Sequence, residues 1–184
     1  KPFTEIDDRL GAYVAIERSA GEDRVRAMYY DNRTDPSRDV DYGGREVYGW
    51  RTRFWSAGLQ QAFGEWTVLG QLLSGTTRIA PEDAGVFDTD FNAGYVLATR
   101  AFGDWQPALR IDLFQASQTW DGQPAYLNEH GNAFTAALNW RPHERVRVIG
   151  EVLRVDSARD QRLAEGIDAR QVDVQAQLAF RFYF

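Results

Sequence analysis

The chain has 184 residues, a formal net charge of −6, 14% aromatic residues and no cysteine. This acidic balance argues against a nucleic-acid binder, and the lack of cysteine excludes disulfides and thiolate metal sites. No run of about 18 apolar residues is present, so the sequence contains no membrane-spanning helix.

Alternation of apolar and polar residues recurs along the whole chain, whereas helical periodicity does not. Because side chains of a strand point alternately to opposite faces, this pattern predicts β-strands. Nine strands are predicted, at residues 9–17, 24–30, 46–63, 65–78, 91–102, 109–114, 134–141, 145–152 and 170–184. Several are far longer than the roughly 5–6 residues typical of globular proteins, and a tilted membrane strand needs about 9–11.

The predicted connections alternate strictly between short and long. Short turns are expected at residues 19–22, 63–65, 102–104 and 141–144, and long polar loops at 32–45, 79–90, 119–131 and 157–169. Strands that run up and down would therefore have short turns at one end and long loops at the other. This asymmetry is typical of outer-membrane barrels, whereas a Greek-key sandwich gives no reason for it.

The last strand has the most regular pattern, because its even positions from Val172 to Phe184 are all apolar. Three tryptophans, Trp66, Trp105 and Trp140, stand beside the short turns. An aromatic girdle at one membrane interface would place them there, and the alternative is that they are ordinary core residues.

The chain resembles the Gram-negative outer-membrane β-barrel proteins, and Leu178, Phe180, Phe182 and Phe184 carry the resemblance. It implies an all-β fold, an antiparallel up-and-down transmembrane β-barrel in the bacterial outer membrane, formed as a single domain by residues 1–184. The turns would be periplasmic and the loops external, and the last strand would be the signal read by the barrel-assembly machinery.

The predicted strand number departs from the family, because nine is odd and bacterial single-chain barrels have even numbers. Either a further strand lies near residues 1–7, or the chain is the C-terminal portion of a larger barrel. Long strands with arginines and acidic loops resemble a porin, and phosphate-selective or related specific porins are candidates. No motif fixes the subfamily.

Arginines are predicted to share the polar, lumen-facing side of the strands. Guanidinium groups stay charged and bind carboxylate and phosphate through paired N–H groups, which is typical of anion pores. The predicted pore-lining, anion-binding residues are Arg24, Arg26, Arg51, Arg53, Arg100, Arg110, Arg141, Arg145, Arg147 and Arg181, with Arg9 as a further member and Glu17, Asp112, Glu151 and Asp173 as accompanying carboxylates. The alternative is that these charges pair across strands and fill a narrow interior.

The sequence therefore predicts a porin-like channel for passive diffusion of small hydrophilic solutes, with a preference for anions and without cofactor or metal. Expected partners are outer-membrane lipid and lipopolysaccharide, the assembly machinery and the solutes, and a homotrimer is compatible with the resemblance. The main alternative is a complete small barrel of 8–10 strands with a structural or adhesion role, because about eight strands leave room only for side chains.

An outer-membrane lipid-modifying enzyme is the less favoured alternative, and no catalytic activity is predicted. Only His130 and His143 could serve as a catalytic imidazole, and neither stands in a nucleophile motif. Two acidic clusters, Asp31 to Asp41 and Glu82 to Asp90, could hold a divalent cation, but without the order of an EF-hand loop they are interpreted as solvated loops.

Overall fold

The alternation of apolar and polar residues is realised as β-structure throughout the chain. The computed structural model describes residues 7–41, 43–125 and 127–184. In chain order the elements are β1 (Ala12–Ala20), β2 (Asp23–Asp31), β3 (Asp39–Asp41), β4 (Glu46–Tyr48), β5 (Arg51–Phe63), β6 (Trp66–Ile79), β7 (Phe87–Arg100), β8 (Trp105–Trp120), β9 (Gln123–Pro124), β10 (Glu129–His143), β11 (Val146–Arg159), α1 (Gln161–Ala164) and β12 (Arg170–Phe182).

Nine long strands form one antiparallel sheet in the order β1-β2-β5-β6-β7-β8-β10-β11-β12, with the short β9 paired to β8. Each strand of this path pairs with the next one along it, so the all-β, up-and-down arrangement predicted from the sequence is confirmed. Within the described residues, no helix is long and apolar enough to cross a membrane.

Strands β7, β8, β10 and β11 extend further toward the long loops than the sequence pattern predicts, whereas the segment predicted as one strand at 46–63 is divided into β4, which pairs with β3, and β5, which begins at Arg51. The segment predicted at 109–114 belongs to a strand of 16 residues, and the loop predicted at 79–90 shrinks to residues 80–86. Most residues in the extensions of β7 and β10 are polar, so the alternation of apolar and polar residues does not reveal them. Pairing with neighbouring strands keeps them extended, as where Asp88 and Asp90 of β7 pair with Arg78 and Thr76 of β6.

Short and long connections lie at opposite ends of the sheet, as predicted. The short turns are residues 21–22, 64–65, 101–104 and 144–145, and the long connections are 32–50, 80–86, 121–128 and 160–169. The first long connection contains the β3–β4 hairpin and the last contains α1. Gly21 and Gly64 both adopt a φ of 63° in their turns, a left-handed conformation that glycine reaches without strain.

The sheet is open at β1 and β12 within the described residues, because neither strand has a second ladder partner there. Nine alternating strands make β1 and β12 run in the same direction, so an antiparallel ladder could not join them directly. The predicted closure into a barrel is thus not seen between these strands. The further strand considered near residues 1–7 falls almost entirely outside the described residues.

The register divides the sheet into two faces, because directly paired residues point to the same side. We name the side that carries Leu178 and Phe180 the apolar face, and the side that carries Asp173 and Gln177 the polar face. Large side chains on the apolar face are more than half exposed from one edge to the other, including Ile16, Leu72, Val96, Ile111, Leu113, Val174, Leu178 and Phe180.

A hydrophobic core is nearly absent from the sheet. Among the apolar side chains that the structure describes, only Ala133 is buried. Exposed apolar patches beyond a few hundred Å² are rare on soluble monomers and mark surfaces that contact a partner or a membrane. The apolar face exposes large side chains from β1 to β12.

Candidate functional site

The predicted arginine set is divided between the two faces. Five of its members, Arg24, Arg26, Arg110, Arg147 and Arg181, lie on the polar face. The predicted carboxylates Glu17, Asp112, Glu151 and Asp173 share that face with them, as expected. These residues thus share one face of the sheet.

The same prediction is wrong for Arg51, Arg53 and Arg100, which point to the apolar face. Arg53 pairs with Asp31, on the side of β2 that also carries Val25 and Ala27. Alternation within one strand separates its two faces, but only the register between strands decides which of them is shared with a neighbour.

Arg9, Arg141 and Arg145 lie outside the regular ladders. Arg9 precedes β1 and pairs with Asp35 of the first long loop, with Nη2 and Oδ2 2.8 Å apart. Arg141 lies where the register of β10 shifts, and Arg145 lies in the turn to β11. None of the three joins the five arginines of the polar face.

A cavity of about 390 Å³ lies on the polar face between β2 and β7. Arg26, Gly58, Gln71 and Tyr95 are successive cross-strand partners, and the missing side chain of Gly58 leaves space between its neighbours. The wall is completed mainly by Glu17, Arg24, Met28, Ser56 and Leu69. We name this feature the arginine cavity.

The arginine cavity contains two guanidinium groups without an ion-pair partner in the described part of the chain. Eight ion pairs are found there, and none includes Arg24 or Arg26. Glu17 is the direct cross-strand neighbour of Arg26 but forms no ion pair with it. Their N–H groups are therefore free to donate to an anion or to water.

The opposite wall of the cavity is uncharged or neutralised. The Arg110 guanidinium lies 4.0 Å from the centroid of the Tyr95 ring, and its Nε donates to Asp112 Oδ1 at 2.9 Å. Gln71 Nε2 donates to Ser56 Oγ at 3.0 Å. The cavity thus combines a cationic side with amide, hydroxyl and aromatic groups.

A second cationic pair lies on the polar face near the turn between β10 and β11. Arg147 and Arg181 are direct cross-strand partners, and neither forms an ion pair with a described residue. Like charges directly opposite each other are unfavourable unless solvent or an anion lies between them. With Arg24 and Arg26, they make the short-turn end of this face cationic.

Ion pairs are concentrated instead on the apolar face, at its long-loop end. Arg51 pairs with Asp31, and Arg78 with Asp88 at 2.7 Å. The sequence interpretation put both carboxylates in solvated acidic loops, whereas each ends or begins a strand. The signal that could have found the pairs is an arginine at the matching end of the neighbouring strand.

The predicted tryptophan row is on one face. Trp66, Trp105 and Trp140 all lie on the apolar face beside short turns. The rings of Trp105 and Trp140 stack with centroids 5.2 Å apart. Leu178, Phe180 and Phe182 are exposed on the same face, and Phe184 follows the end of β12. The proposed roles of these residues at a membrane interface and in assembly stay predictions.

The two histidines are far apart in the sheet. His143 Nδ1 accepts a hydrogen bond from the Arg145 backbone N–H at 3.2 Å, in a short turn. His130 is exposed at the long-loop end of the apolar face. No group of three or more histidine, aspartate or glutamate side chains suited to a metal ion occurs among residues 7–41, 43–125 and 127–184.

No protein-family model, curated protein or solved structure matches this chain. The resemblance to outer-membrane barrels therefore stays a prediction, and the function has to be argued from the two faces and the arginine cavity.

Proposed function

We propose that this sheet is part of the wall of a porin-like barrel in a bacterial outer membrane, which passes small hydrophilic solutes with a preference for anions. The apolar face would contact lipid and the polar face would line a water-filled lumen. The arginine cavity would be the place in this part of the wall where anions bind during passage.

The observation that carries the proposal is the pairing of an exposed apolar face with a polar face that contains unpaired arginines. Along β8 the apolar band runs from Trp105 to Leu113. At about 3.3 Å per residue and a tilt of about 40°, these nine residues span roughly 20 Å, close to the lipid-facing band of membrane barrels.

The parallel direction of β1 and β12 supports a barrel larger than the described sheet. An antiparallel barrel needs an odd number of further strands between them, from other parts of the polypeptide. Eight strands enclose little more than side chains, whereas about 16–18 enclose an aqueous channel. The open sheet is compatible with the larger number, in which a water-filled lumen would hydrate the arginine cavity.

The small, ion-paired barrel is the second candidate, and the distribution of charges argues against it. In a small barrel the arginines of the polar face should pair with carboxylates inside the barrel. Apart from the long-loop end, however, the described residues of the polar face form one ion pair, between Arg110 and Asp112. Arg24, Arg26, Arg147 and Arg181 form none. Unpaired guanidinium groups in a narrow, dry interior would be very unfavourable.

The test is ion selectivity in planar bilayers, with the native full-length protein and two variants of equal charge change. Arg26→Glu places a carboxylate in the arginine cavity, and Arg53→Glu places one on the apolar face. Arg53 is a suitable control because it also forms no ion pair with a described residue, and its Nε donates only to Thr76 Oγ1, at 3.1 Å.

We expect Arg26→Glu to shift the reversal potential in a salt gradient toward cation selectivity, which corresponds to a severalfold increase in the ratio of cation to anion permeability. The shift should be largest at low salt, because salt screens charges beyond about 10 Å at 0.1 M. Arg53→Glu should leave selectivity unchanged. Absence of any conductance in the native protein would favour the small barrel, and equal shifts in both variants would refute the assignment of the faces.

A further inference from the structure

The charged cluster of Arg154, Asp156 and Arg170 has a composition that sets it apart from the other ion pairs of the apolar face. Arg170 donates from Nε and Nη2 to the two carboxylate oxygens of Asp156, both at 2.8 Å, and Arg154 Nη2 donates to Oδ2 at 3.1 Å. Two guanidinium groups thus share one carboxylate, whereas Arg51 and Arg78 each have a carboxylate of their own. The cluster carries a net charge of +1.

The carboxylate of this cluster is shielded while the cations remain accessible. Asp156 is only 6% exposed, whereas the side chains of Arg154 and Arg170 are 47% and 73% exposed. Within the described residues, Nη1 of both arginines donates no hydrogen bond. Asp156 therefore fixes two guanidinium groups side by side, with unused donors directed away from it. Such a pair suits the several oxygens of a phosphate group.

The surroundings of the cluster suit a phosphate that belongs to an amphiphile. Arg154 and Asp156 are direct cross-strand partners of Val174 and Val172. Toward the short turns the same face continues with Val152 and Leu178, both at least half exposed. A phosphate held by the arginines would thus have apolar surface beside it, toward the short turns and on β10, where Phe134 pairs with Arg154, and acyl chains would follow that surface.

We propose that Arg154 and Arg170, held by Asp156, bind the phosphate of a membrane amphiphile whose acyl chains lie on the apolar face along β11 and β12. The inference rests on the proposed function, because it requires this face to contact lipid. It goes further by assigning a lipid-binding role to residues outside the pore. The net charge of +1 complements one phosphate, which the neutral Arg78–Asp88 pair would not.

The experiment counts amphiphiles retained by the native full-length protein. The protein is placed in phosphatidylcholine nanodiscs that contain bisphosphorylated lipid A, and retained lipid A is counted by native mass spectrometry after release into detergent. The variant is Arg154→Gln, which leaves Asp156 paired with Arg170.

The matched control is Arg159→Gln. Arg159 lies on the same strand as Arg154 but on the polar face, and it pairs with Glu129 at 2.6 Å. Its side chain is 45% exposed, similar to the 47% of Arg154. We expect Arg154→Gln to lower retention about fivefold or more and Arg159→Gln to leave it unchanged. Excess inorganic phosphate should not displace lipid A, and lipid A without phosphates should be retained poorly.

Equal retention by the two variants would overturn the proposal, and so would equal retention of phosphate-free lipid A. Displacement by inorganic phosphate would show an anion site without a lipid preference and would overturn the choice of ligand. Failure of the proposed function has a different signature, because the native protein would then be missing from isolated outer membranes before any lipid is counted.

Discussion

Gly58 is the residue that keeps the arginine cavity open. A Cβ atom built on it meets only the Gly70 carbonyl oxygen at 3.7 Å, an ordinary contact distance, so a larger side chain can enter the cavity without displacing the backbone. We expect Gly58→Leu to lower single-channel conductance about twofold, because the added side chain fills space on the face that we propose lines the lumen.

The control for this prediction is Gly150→Leu, which makes the same change on the apolar face. No atom lies within 4 Å of a Cβ built on Gly150. Its added side chain should contact lipid, with conductance unchanged. Both variants are compared in planar bilayers at equal salt, and an equal loss in both would mean that Gly58 does not face the lumen.

Asp35 organises the start of the first long loop through its ionised side chain. Hydrogen bonds from the Ser37 hydroxyl and backbone N–H, together with the Arg9 guanidinium, lower the pKa of this carboxyl below its ordinary value. Because the pKa is lower in the folded loop than in the unfolded chain, ionisation stabilises the loop above the unfolded pKa. That contribution is lost as pH falls through the folded pKa.

We therefore expect the first long loop to become more susceptible to pepsin as pH falls below the ordinary pKa of aspartate. Asp35→Asn should be susceptible already at higher pH, and Asp39→Asn should behave like the native protein. Cleavage is followed by mass spectrometry of the released fragments. A pH response in Asp35→Asn as large as in the native loop would assign the effect to another group.

At the scale of the element, β12 combines a complete apolar face with an unpaired edge. Phe180 and Ala179 are adjacent residues of this strand on opposite faces, both exposed. Substitutions at these two positions therefore distinguish the effect of the apolar pattern from the effect of strand formation. A charge at Phe180 interrupts the apolar face, whereas a charge at Ala179 lies on the polar face between Gln177 and Arg181.

We expect Phe180→Asp to reduce the amount of folded protein in the outer membrane and to destabilise the inserted barrel by roughly 1–2 kcal/mol, whereas Ala179→Asp is tolerated. Removal of Phe184 should impair assembly as well. Folded protein is measured by its heat-modifiable migration on gels. Native levels of Phe180→Asp would contradict lipid contact along β12.

For the whole molecule, the separation of short turns from long loops predicts sidedness. The chain has no cysteine, so introduced cysteines can be labelled selectively. Cysteine at Asp39, in the first long loop, should react with an impermeant maleimide on intact cells. Cysteine at Glu144, in the turn between β10 and β11, should react only after the outer membrane is broken. The reverse result would invert the topology.

Closure into the proposed barrel requires more strands than the nine long ones described, because β1 and β12 run in the same direction. A channel of about 16–18 strands corresponds to a chain of roughly 40 kDa. Intact-mass measurement of the protein from its native membrane tests this directly. A mass that leaves no room for further strands would favour the small barrel or closure by a second copy.

The sequence by itself determined the class of fold, because period-two alternation is a local property that each strand displays alone. The nine long strands, the alternation of short and long connections, and the position of Trp66, Trp105 and Trp140 beside the short turns were all predictable. The ends of the strands were less predictable from the sequence. Polar extensions such as Asp88 to Asp90 stay extended because they pair with the neighbouring strand, and such pairing leaves no apolar–polar alternation in the sequence.

Only the tertiary structure decided which strand faces belong together. Arg51 and Arg53 alternate as regularly as Arg24 and Arg26, yet the register of β2 with β5 turns the two pairs to opposite sides. A shift of one residue would reverse that outcome, and register depends on hydrogen bonding between strands that are distant in sequence. For the same physical reason, the cavity at Gly58 and the cluster at Asp156 could be found only from the folded sheet.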